Sequence, residues 1–188
     1  MNLKELDKKM RSCTNCELAK TRTLVVPGEG DSKAEVMFIG EGPGKNEDLQ
    51  GRPFIGRAGK ILDELLEQIN LKRADVYIAN VVKCRPPGNL DPKPEEAKIC
   101  WTWLEQQIEI IKPKLIIPLG RHSLQRFVPS AIIGEFHGQV ITKDDKSLGK
   151  LMIFPCYHPA ATIYNRKLRP VLEEDFGKIR GIIKDMKN

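Results

Sequence analysis

Six polar or aromatic side chains could together bind a flat polar ring and act on it. They are two carboxylates, two carboxamides, one phenyl ring and one imidazole, contributed by Glu41, Glu47, Asn80, Asn89, Phe54 and His158. A phenyl ring can stack on a planar molecule, and a carboxamide can donate and accept hydrogen bonds along one edge. An imidazole can donate to an oxygen that becomes negative as a bond breaks, and a carboxylate can orient water. These residue types predict a pocket for a planar, polar, uncharged ring.

The stretch from Val36 to Gly59 should form the entrance to that pocket. Its apolar start, Val36 to Ile39, predicts a buried strand, and the glycine- and proline-rich run Gly40–Gly44 can continue neither a helix nor a central strand. We therefore expect a long irregular loop that carries both carboxylates and the phenyl ring. In open α/β sheets, ligands bind beyond the carboxyl ends of strands.

The glycines of this loop match neither common phosphate-binding motif. A Walker loop has four residues between its outer glycines, followed by Lys and Ser or Thr. Here three residues separate Gly40 from Gly44, and Lys45 precedes Asn46. The Rossmann fingerprint also fails, because no glycine occupies its third position. The loop is therefore not expected to bind phosphate.

Strand and helix patterns alternate along the rest of the chain. Further apolar runs predict strands over Asp75–Lys83, Lys114–Leu119 and Leu151–Tyr157. Amphipathic stretches predict helices over Leu3–Arg11, Gly59–Asn70, Asp91–Ile111, His122–Phe127 and Pro170–Lys187. The segment Val128–Lys150 should be irregular. Alternation predicts a three-layer α/β/α fold with a central, mostly parallel four-stranded sheet, in a single domain over residues 1–188.

Strand carboxyl ends share one edge of a parallel sheet, so four loops should meet there. These loops are Gly40–Gly59, Asn80–Asn89, Gly120–His122 and Cys156–Arg166. Asn80 is the most informative single residue, because burying an unpaired amide costs on the order of a few kcal/mol. The alternative is a partner in the adjacent backbone. His122 and His137 lack such a context and are interpreted as structural or solvated.

Four of the five cysteines predict a metal centre. Cys13 and Cys16 form a C-x-x-C pair, Cys84 ends an apolar strand, and Cys100 lies inside a predicted helix. Thiolates gathered in this way could hold zinc or an iron–sulfur cluster, and their spacing leaves both alternatives open. Cys156 is interpreted as a core residue.

Charge and hydropathy limit the classes of partner. The net charge of +6 favours a polyanionic partner only mildly, since many basic proteins bind no nucleic acid. Apolar runs stay well below the roughly 20 residues of a membrane span. The charged, amphipathic first residues do not have the apolar centre of a signal peptide, so we expect a cytoplasmic protein without membrane contact.

Three motifs carry a family resemblance. The run GEGPGKNEDLQGRPFIGRAG, the CRPPGN loop and YHPAAT together resemble the family 4 uracil-DNA glycosylases, over nearly the whole chain. The resemblance implies that uracil is flipped out of DNA and its N-glycosidic bond hydrolysed, leaving an abasic site, in base excision repair. It also implies a [4Fe–4S] cluster rather than zinc, held by Cys13, Cys16, Cys84 and Cys100.

The same resemblance assigns roles in the pocket. Phe54 would stack on the flipped uracil, Asn80 would pair with N3–H and O4, and His158 would bond O2 and stabilise the departing anion. Glu41 or Glu47 would position water, although Glu47 could instead exclude the methyl group of thymine. The remaining contacts are the backbone of Gly42 with the base, support from Asn89, and DNA phosphates held by Arg166 and Lys167. Gly42 replaces the family's usual alanine, which should leave room near the base.

Uracil-containing DNA, single- or double-stranded, is the expected partner of a monomeric, nucleoid-associated enzyme. A DNA polymerase sliding clamp is a further candidate partner. Two other functions stay open: an iron–sulfur nucleic-acid-binding module without glycosylase activity, and a redox protein built on the four cysteines. The redox alternative leaves Phe54, Asn80 and His158 without a purpose.

Overall fold

A six-stranded sheet forms the centre of the protein. The computed structural model describes residues 1–186, so the predicted helix end at Lys187 lies outside the described residues. The strands are β1 (Glu29–Gly30), β2 (Val36–Gly40), β3 (Tyr77–Asn80), β4 (Leu115–Pro118), β5 (Ile141–Asp145) and β6 (Gly149–Ile153). Their order is β1-β3-β2-β4-β6-β5. The four inner strands are parallel, and the two outer strands pair antiparallel with their neighbours.

Helices lie between the strands along the chain. They are α1 (Leu3–Arg11), α2 (Lys45–Gln50), α3 (Arg57–Gln68), α4 (Pro94–Ile111), α5 (Arg121–Phe127), α6 (Ile133–Phe136), α7 (Ala161–Tyr164) and α8 (Leu168–Asp185). Asn2 caps α1 through a reciprocal capping box with Glu5, and Pro94 opens α4, where a missing N–H costs nothing. Among residues 1–186, no helix combines the length and apolar character that crossing a membrane requires.

Side chains of β2 alternate between the two faces of the sheet and so divide the core. Met37 and Ile39 pack with α1 and α4 on one face, whereas Val36 and Phe38 pack with α3 and α8 on the other. This alternation follows from the two-residue period of a strand, and all five residues of β2 are buried because helices cover both faces. The predicted three-layer α/β/α architecture is confirmed.

The predicted count of four strands is wrong, because the sequence patterns did not indicate the two edge strands β1 and β5. β5 lies within the segment predicted to be irregular, where it forms a hairpin with β6. Its residues alternate between partly buried and exposed positions and include Lys143 and two aspartates, which hides the strand in a hydropathy pattern. β1 is only two residues long, too short to produce a pattern.

Two further features near the sheet edge differ from the prediction: the end of β3 and a short helix in the loop after β2. β3 ends at Asn80, so this residue is the last of its strand and Cys84 lies in the segment beyond it. Residues Lys45–Gln50 form a helix within the stretch predicted to be an irregular loop. Both differences matter for function, because they determine how the polar side chains enter the site.

Candidate active site and cysteine centre

One pocket of about 640 Å³ lies beyond the carboxyl ends of β2 and β3. Its lining includes all seven residues predicted for catalysis and base binding: Glu41, Gly42, Glu47, Phe54, Asn80, Asn89 and His158. The parallel pairing of Gly40 with Asn80 places the two strand ends side by side. The fold thus gathers the residues that the sequence predicted would meet.

Phe54 and Asn80 meet above Gly40. A Cβ atom at Gly40 would collide with both the Phe54 ring and the Asn80 carboxamide oxygen, so only glycine permits this approach. The Phe54 ring lies 5.5 Å from the His158 ring, centroid to centroid, with 28° between their planes. The ring, amide and imidazole therefore form one continuous wall, which a planar molecule could contact.

The carboxamide of Asn80 is buried and incompletely bonded. Its side chain is almost inaccessible, and Oδ1 has no hydrogen-bond partner among the described residues. The alternative explanation, a partner in the adjacent backbone, therefore does not apply to Oδ1. An unpaired buried acceptor costs about 1–3 kcal/mol, which a ligand N–H could recover.

The hydrogen bonding of His158 indicates which of its nitrogens can donate. Nδ1 accepts from the backbone N–H of Ala160 at 3.1 Å, which leaves Nε2 as the protonated nitrogen of a neutral ring. Burial lowers the pKa of His158 to about 4, and the nearby Glu47 carboxylate only partly opposes this shift. His158 is therefore a neutral hydrogen-bond donor at physiological pH.

The carboxylate of Glu47 is anchored by the turn that carries Phe54. Oε1 accepts from the backbone N–H groups of Ile55, at 2.9 Å, and Gly56, at 2.7 Å. Because Glu47 lies in the first turn of α2, this short helix connects the β2 loop to the Phe54 turn. Glu47 has a fixed position beside the pocket.

Glu41 lies in a different electrostatic setting. Burial raises the pKa of its carboxyl group, while His122 acts in the opposite direction. His122 Nε2 lies 3.7 Å from Glu41 Oε2 and 3.0 Å from Asp91 Oδ2, and Arg121 also pairs with Asp91 at 3.0 Å. His122, interpreted from sequence as structural or solvated, therefore belongs to a polar network at the pocket rim.

Other pocket residues depart from the expectations to differing degrees. Asn89 is exposed and accepts from Arg85 Nε at 2.7 Å through its side-chain oxygen. A Cβ at Gly42 would lie 2.7 Å from Val82 Cγ2, so this glycine leaves no free room, contrary to the expectation, and a methyl group here would displace the Val82 side chain. Leu90 and Tyr164, which the sequence did not single out, project from the rim and are 71% and 90% exposed.

Arg166 and Lys167 are both exposed and lie just before α8. Arg166 lines a second pocket of about 520 Å³, together with Arg57 and Arg169. Arg57 and Ile163 line both pockets, so the two are adjacent. Lys167 lines neither of them.

The four predicted cysteine ligands surround one largely apolar cavity. Cys13, Cys16, Cys84 and Cys100 line it with Met10, Val25, Ile99 and Trp103. Arg22 donates to Cys84 Sγ at 3.2 Å, and Trp103 Nε1 donates to Cys13 Sγ at 3.3 Å. Cys156 lies apart, in the core on the opposite face of the sheet.

The donors of this cavity suit a bound metal centre, because four cysteine side chains from three segments of the chain face one enclosed space. Burial raises the pKa of Cys84 and Cys100, whereas Arg22 acts on Cys84 and Lys83 on Cys100 in the opposite direction. Positive charge from a bound metal group would favour the thiolates further.

Comparisons with known proteins agree on one family. Residues 27–179 match the family model described as the uracil DNA glycosylase superfamily. The chain is 48% identical to the type-4 uracil-DNA glycosylase of Saccharolobus solfataricus over 185 residues, covering 95% of this chain and 85% of the relative. It is 44% identical to those of Archaeoglobus fulgidus and Thermotoga maritima, each over 183 residues, covering 95% of this chain and 92% and 93% of the relatives. A type-5 enzyme of Pyrobaculum aerophilum is more distant, at 28% identity over 153 residues, 72% of this chain and 65% of the relative.

Proposed function

The chain belongs to the type-4 uracil-DNA glycosylases of the uracil DNA glycosylase superfamily, and we propose how its own residues excise uracil from DNA. The reaction hydrolyses the bond between uracil N1 and the deoxyribose C1′, leaving an abasic site. The observation that carries the proposal is the convergence of Phe54, Asn80 and His158 on one pocket.

Asn80 reads the edge of the flipped base. Its unpaired Oδ1 accepts from uracil N3–H while its NH₂ group donates to O4. Cytosine presents an acceptor at N3 and a donor at C4, so both contacts would be repulsive. Because a mismatched base leaves buried polar groups unpaired, such a site can discriminate strongly. Phe54 stacks against the base and holds it in plane with the amide.

His158 stabilises the leaving group. As the N1–C1′ bond breaks, its electron pair stays with uracil and negative charge spreads to O2. The neutral His158 donates from Nε2 to that oxygen. Water then adds to C1′ and loses a proton to solvent. Glu47, fixed by two backbone amides, orients this water and faces the positive charge that develops on the sugar. Glu41 acts through the rim network with His122 and Asp91.

Cys13, Cys16, Cys84 and Cys100 would hold a [4Fe–4S] cluster. Their grouping around one common cavity supports a bound metal centre, and membership of the type-4 family favours the cluster over zinc. When bound, the cluster would join the end of α1, the segment after β3 and the start of α4 into one unit. Its part is structural, because base binding and hydrolysis rest on the pocket residues.

Several broader expectations complete the proposal. Arg166 and Lys167 hold DNA phosphates beside the pocket, and Asn89 with the Gly42 backbone supports the base. The protein acts as a monomer with a single domain over residues 1–188, in the cytoplasm near the nucleoid. Uracil-containing DNA, single- or double-stranded, is its substrate, and a sliding clamp stays a candidate partner.

The direct test uses oligonucleotides with and without uracil, both single-stranded and as U·G duplexes, followed by alkali. We expect strand cleavage only where uracil was present. Asn80→Asp should lower the rate at least about tenfold, since it cannot donate to O4 and places a buried charge at the base. Asn2→Asp is the matched control, because aspartate caps α1 as well as asparagine does. Binding of uracil-containing DNA without cleavage would favour the inactive module instead.

A further inference from the structure

The four-residue turn 53–56, which presents the Phe54 ring to the pocket, is held from two sides. Arg73 donates to both carbonyl groups at its start, from Nη2 to Pro53 O at 2.6 Å and from Nη1 to Phe54 O at 2.9 Å. At its end, the two N–H groups of Ile55 and Gly56 donate to Glu47. Charged side chains therefore hold the turn at both ends: Arg73 binds its two first carbonyl groups, and Glu47 binds its two last N–H groups.

This turn needs external support because its backbone is unfavourable. Phe54 has φ = 51°, in the left-handed region, which non-glycine residues avoid because Cβ approaches the carbonyl oxygen. Such a conformation persists only where surrounding contacts impose it. Gly59 of α3 also packs directly on the Phe54 carbonyl, where a Cβ would have no space.

The guanidinium of Arg73 is itself fixed by acidic neighbours. Nη1 also donates to Asp63 at 2.9 Å, Nε lies 3.5 Å from a Glu29 carboxylate oxygen as an ion pair without a hydrogen bond, and the side chain is only 20% exposed. A planar fork can hydrogen-bond two successive carbonyls and a carboxylate together, which a lysine ammonium cannot reproduce. Arg73 thus transmits a fixed geometry from β1 and α3 to the turn.

We infer that Arg73 is a positioning residue that holds the Phe54 ring in the orientation required for stacking on the base. The inference rests on the proposed function, in which uracil stacks on Phe54. Arg73 does not line the pocket, so its effect on the reaction passes through the turn. Nothing in its sequence context, a charged run that begins at Lys72, distinguishes it from a surface arginine.

The test compares Arg73→Met with Arg52→Met. Arg52 pairs with the same Glu29, at 2.6 Å, but bonds neither Pro53 nor Phe54, so it controls for loss of charge and of the Glu29 partner. We expect Arg73→Met to raise the KM for uracil-containing DNA and the inhibition constant of free uracil by about tenfold, with a smaller change in kcat. Arg52→Met should leave all three within about twofold.

Two further variants separate positioning from folding. Arg73→Lys should recover only part of the KM defect, and Gly59→Ala should raise KM by displacing the Phe54 carbonyl without changing charge. Wild-type KM and uracil inhibition in Arg73→Met, or in Arg73→Lys if the former does not fold, would overturn the inference. Absence of uracil release by the wild-type protein would instead overturn the proposed function.

Discussion

Among the residues of the proposed reaction, His158 has the most strongly shifted pKa. Its pKa lies at about 4 rather than 6.5, because burial disfavours the charged ring. We therefore predict that the imidazole signals of His158 in the free protein titrate near pH 4, whereas those of the unfolded chain titrate near pH 6.5. An NMR titration, with His158→Gln for assignment, measures this directly.

The lowered pKa also has a consequence for stability. Between pH 6.5 and 4 the unfolded chain takes up a proton at His158 that the folded protein does not. The free energy of unfolding should therefore decrease as the pH is lowered from 6.5 to 4. The His158→Gln variant lacks this contribution. Denaturant unfolding at pH 7 and pH 4.5 should therefore show a larger loss of stability in the wild type. Equal losses in both proteins would contradict the assignment.

Glu47 has two separable roles, in the turn and towards water. Glutamine at this position keeps an oxygen that can accept from Ile55 and Gly56, but it removes the negative charge, whereas alanine removes both. We predict that Glu47→Gln lowers kcat with little change in KM, and that Glu47→Ala lowers kcat and also raises KM through the Phe54 turn. Steady-state kinetics of the two variants decide the matter. Identical kinetics would mean that only one role exists.

Asn80 and Arg73 mark the limits of what could be predicted at this scale. An amide at the end of an apolar strand is visible in a sequence, because burial of such a group demands a partner. Arg73 could not be found in this way, because its targets lie 19 and 20 residues earlier in the chain and are backbone atoms. Contacts to the backbone leave no signature in the residue types they join.

At the scale of elements, the inner strands and long helices were predictable and the short polar elements were not. β2 and β4 consist of buried apolar residues, and α3 and α8 repeat apolar residues every three or four positions. By contrast, α2 has six residues between glycine-rich runs, too few for a period to emerge. It forms because Glu47 and Asp48 occupy its first turn and Gly51 ends it in the left-handed conformation.

Helix α4 carries two tryptophans with different surroundings. Trp103 donates from its indole N–H to Cys13 Sγ at 3.3 Å, whereas Trp101 packs edge-on against Phe127 beneath Arg126. Hydrogen bonds to ligand sulfur atoms stabilise thiolates and tune a bound cluster. We predict that Trp103→Phe accelerates loss of the visible absorbance of the proposed [4Fe–4S] cluster under a chelator at least about tenfold.

Trp101→Phe provides the matched control for this prediction, because it removes an indole N–H from the same helix that, among the described residues, makes no hydrogen bond to a cysteine. It should bleach at the wild-type rate. Equal bleaching of both variants would show that the hydrogen bond to Cys13 does not contribute to cluster retention. The readout is spectroscopic, so it does not depend on glycosylase activity.

At the scale of the whole molecule, the sheet separates two sites and connects them through one segment. Cys16, Cys84 and Cys100 belong to the core that α1 and α4 form on one face, and Phe54 belongs to the core on the other. Residues 80–84 run from Asn80 to Cys84, and the buried Lys83 Nζ donates to Asn80 O at 2.8 Å. The cysteine centre and Asn80 are thus neighbours along the backbone, so the proposed cluster would stabilise the segment that carries Asn80.

The distribution of charge leads to a prediction about DNA binding. Arg57 and Arg166 line the pocket beside the base site, and neither has a partner among the described residues. Each phosphate contact contributes about 0.9 to the slope of log Kobs against log salt for duplex DNA. Replacing both arginines by alanine should therefore reduce the slope by about 1.8, measured with a duplex that contains an uncleavable abasic analogue.

Lys33→Ala with Lys72→Ala removes the same charge at the opposite edge of the sheet, before β2 and β3, and should leave the slope unchanged. Equal reductions in the two double variants would mean that net charge, rather than this pocket, determines the salt dependence.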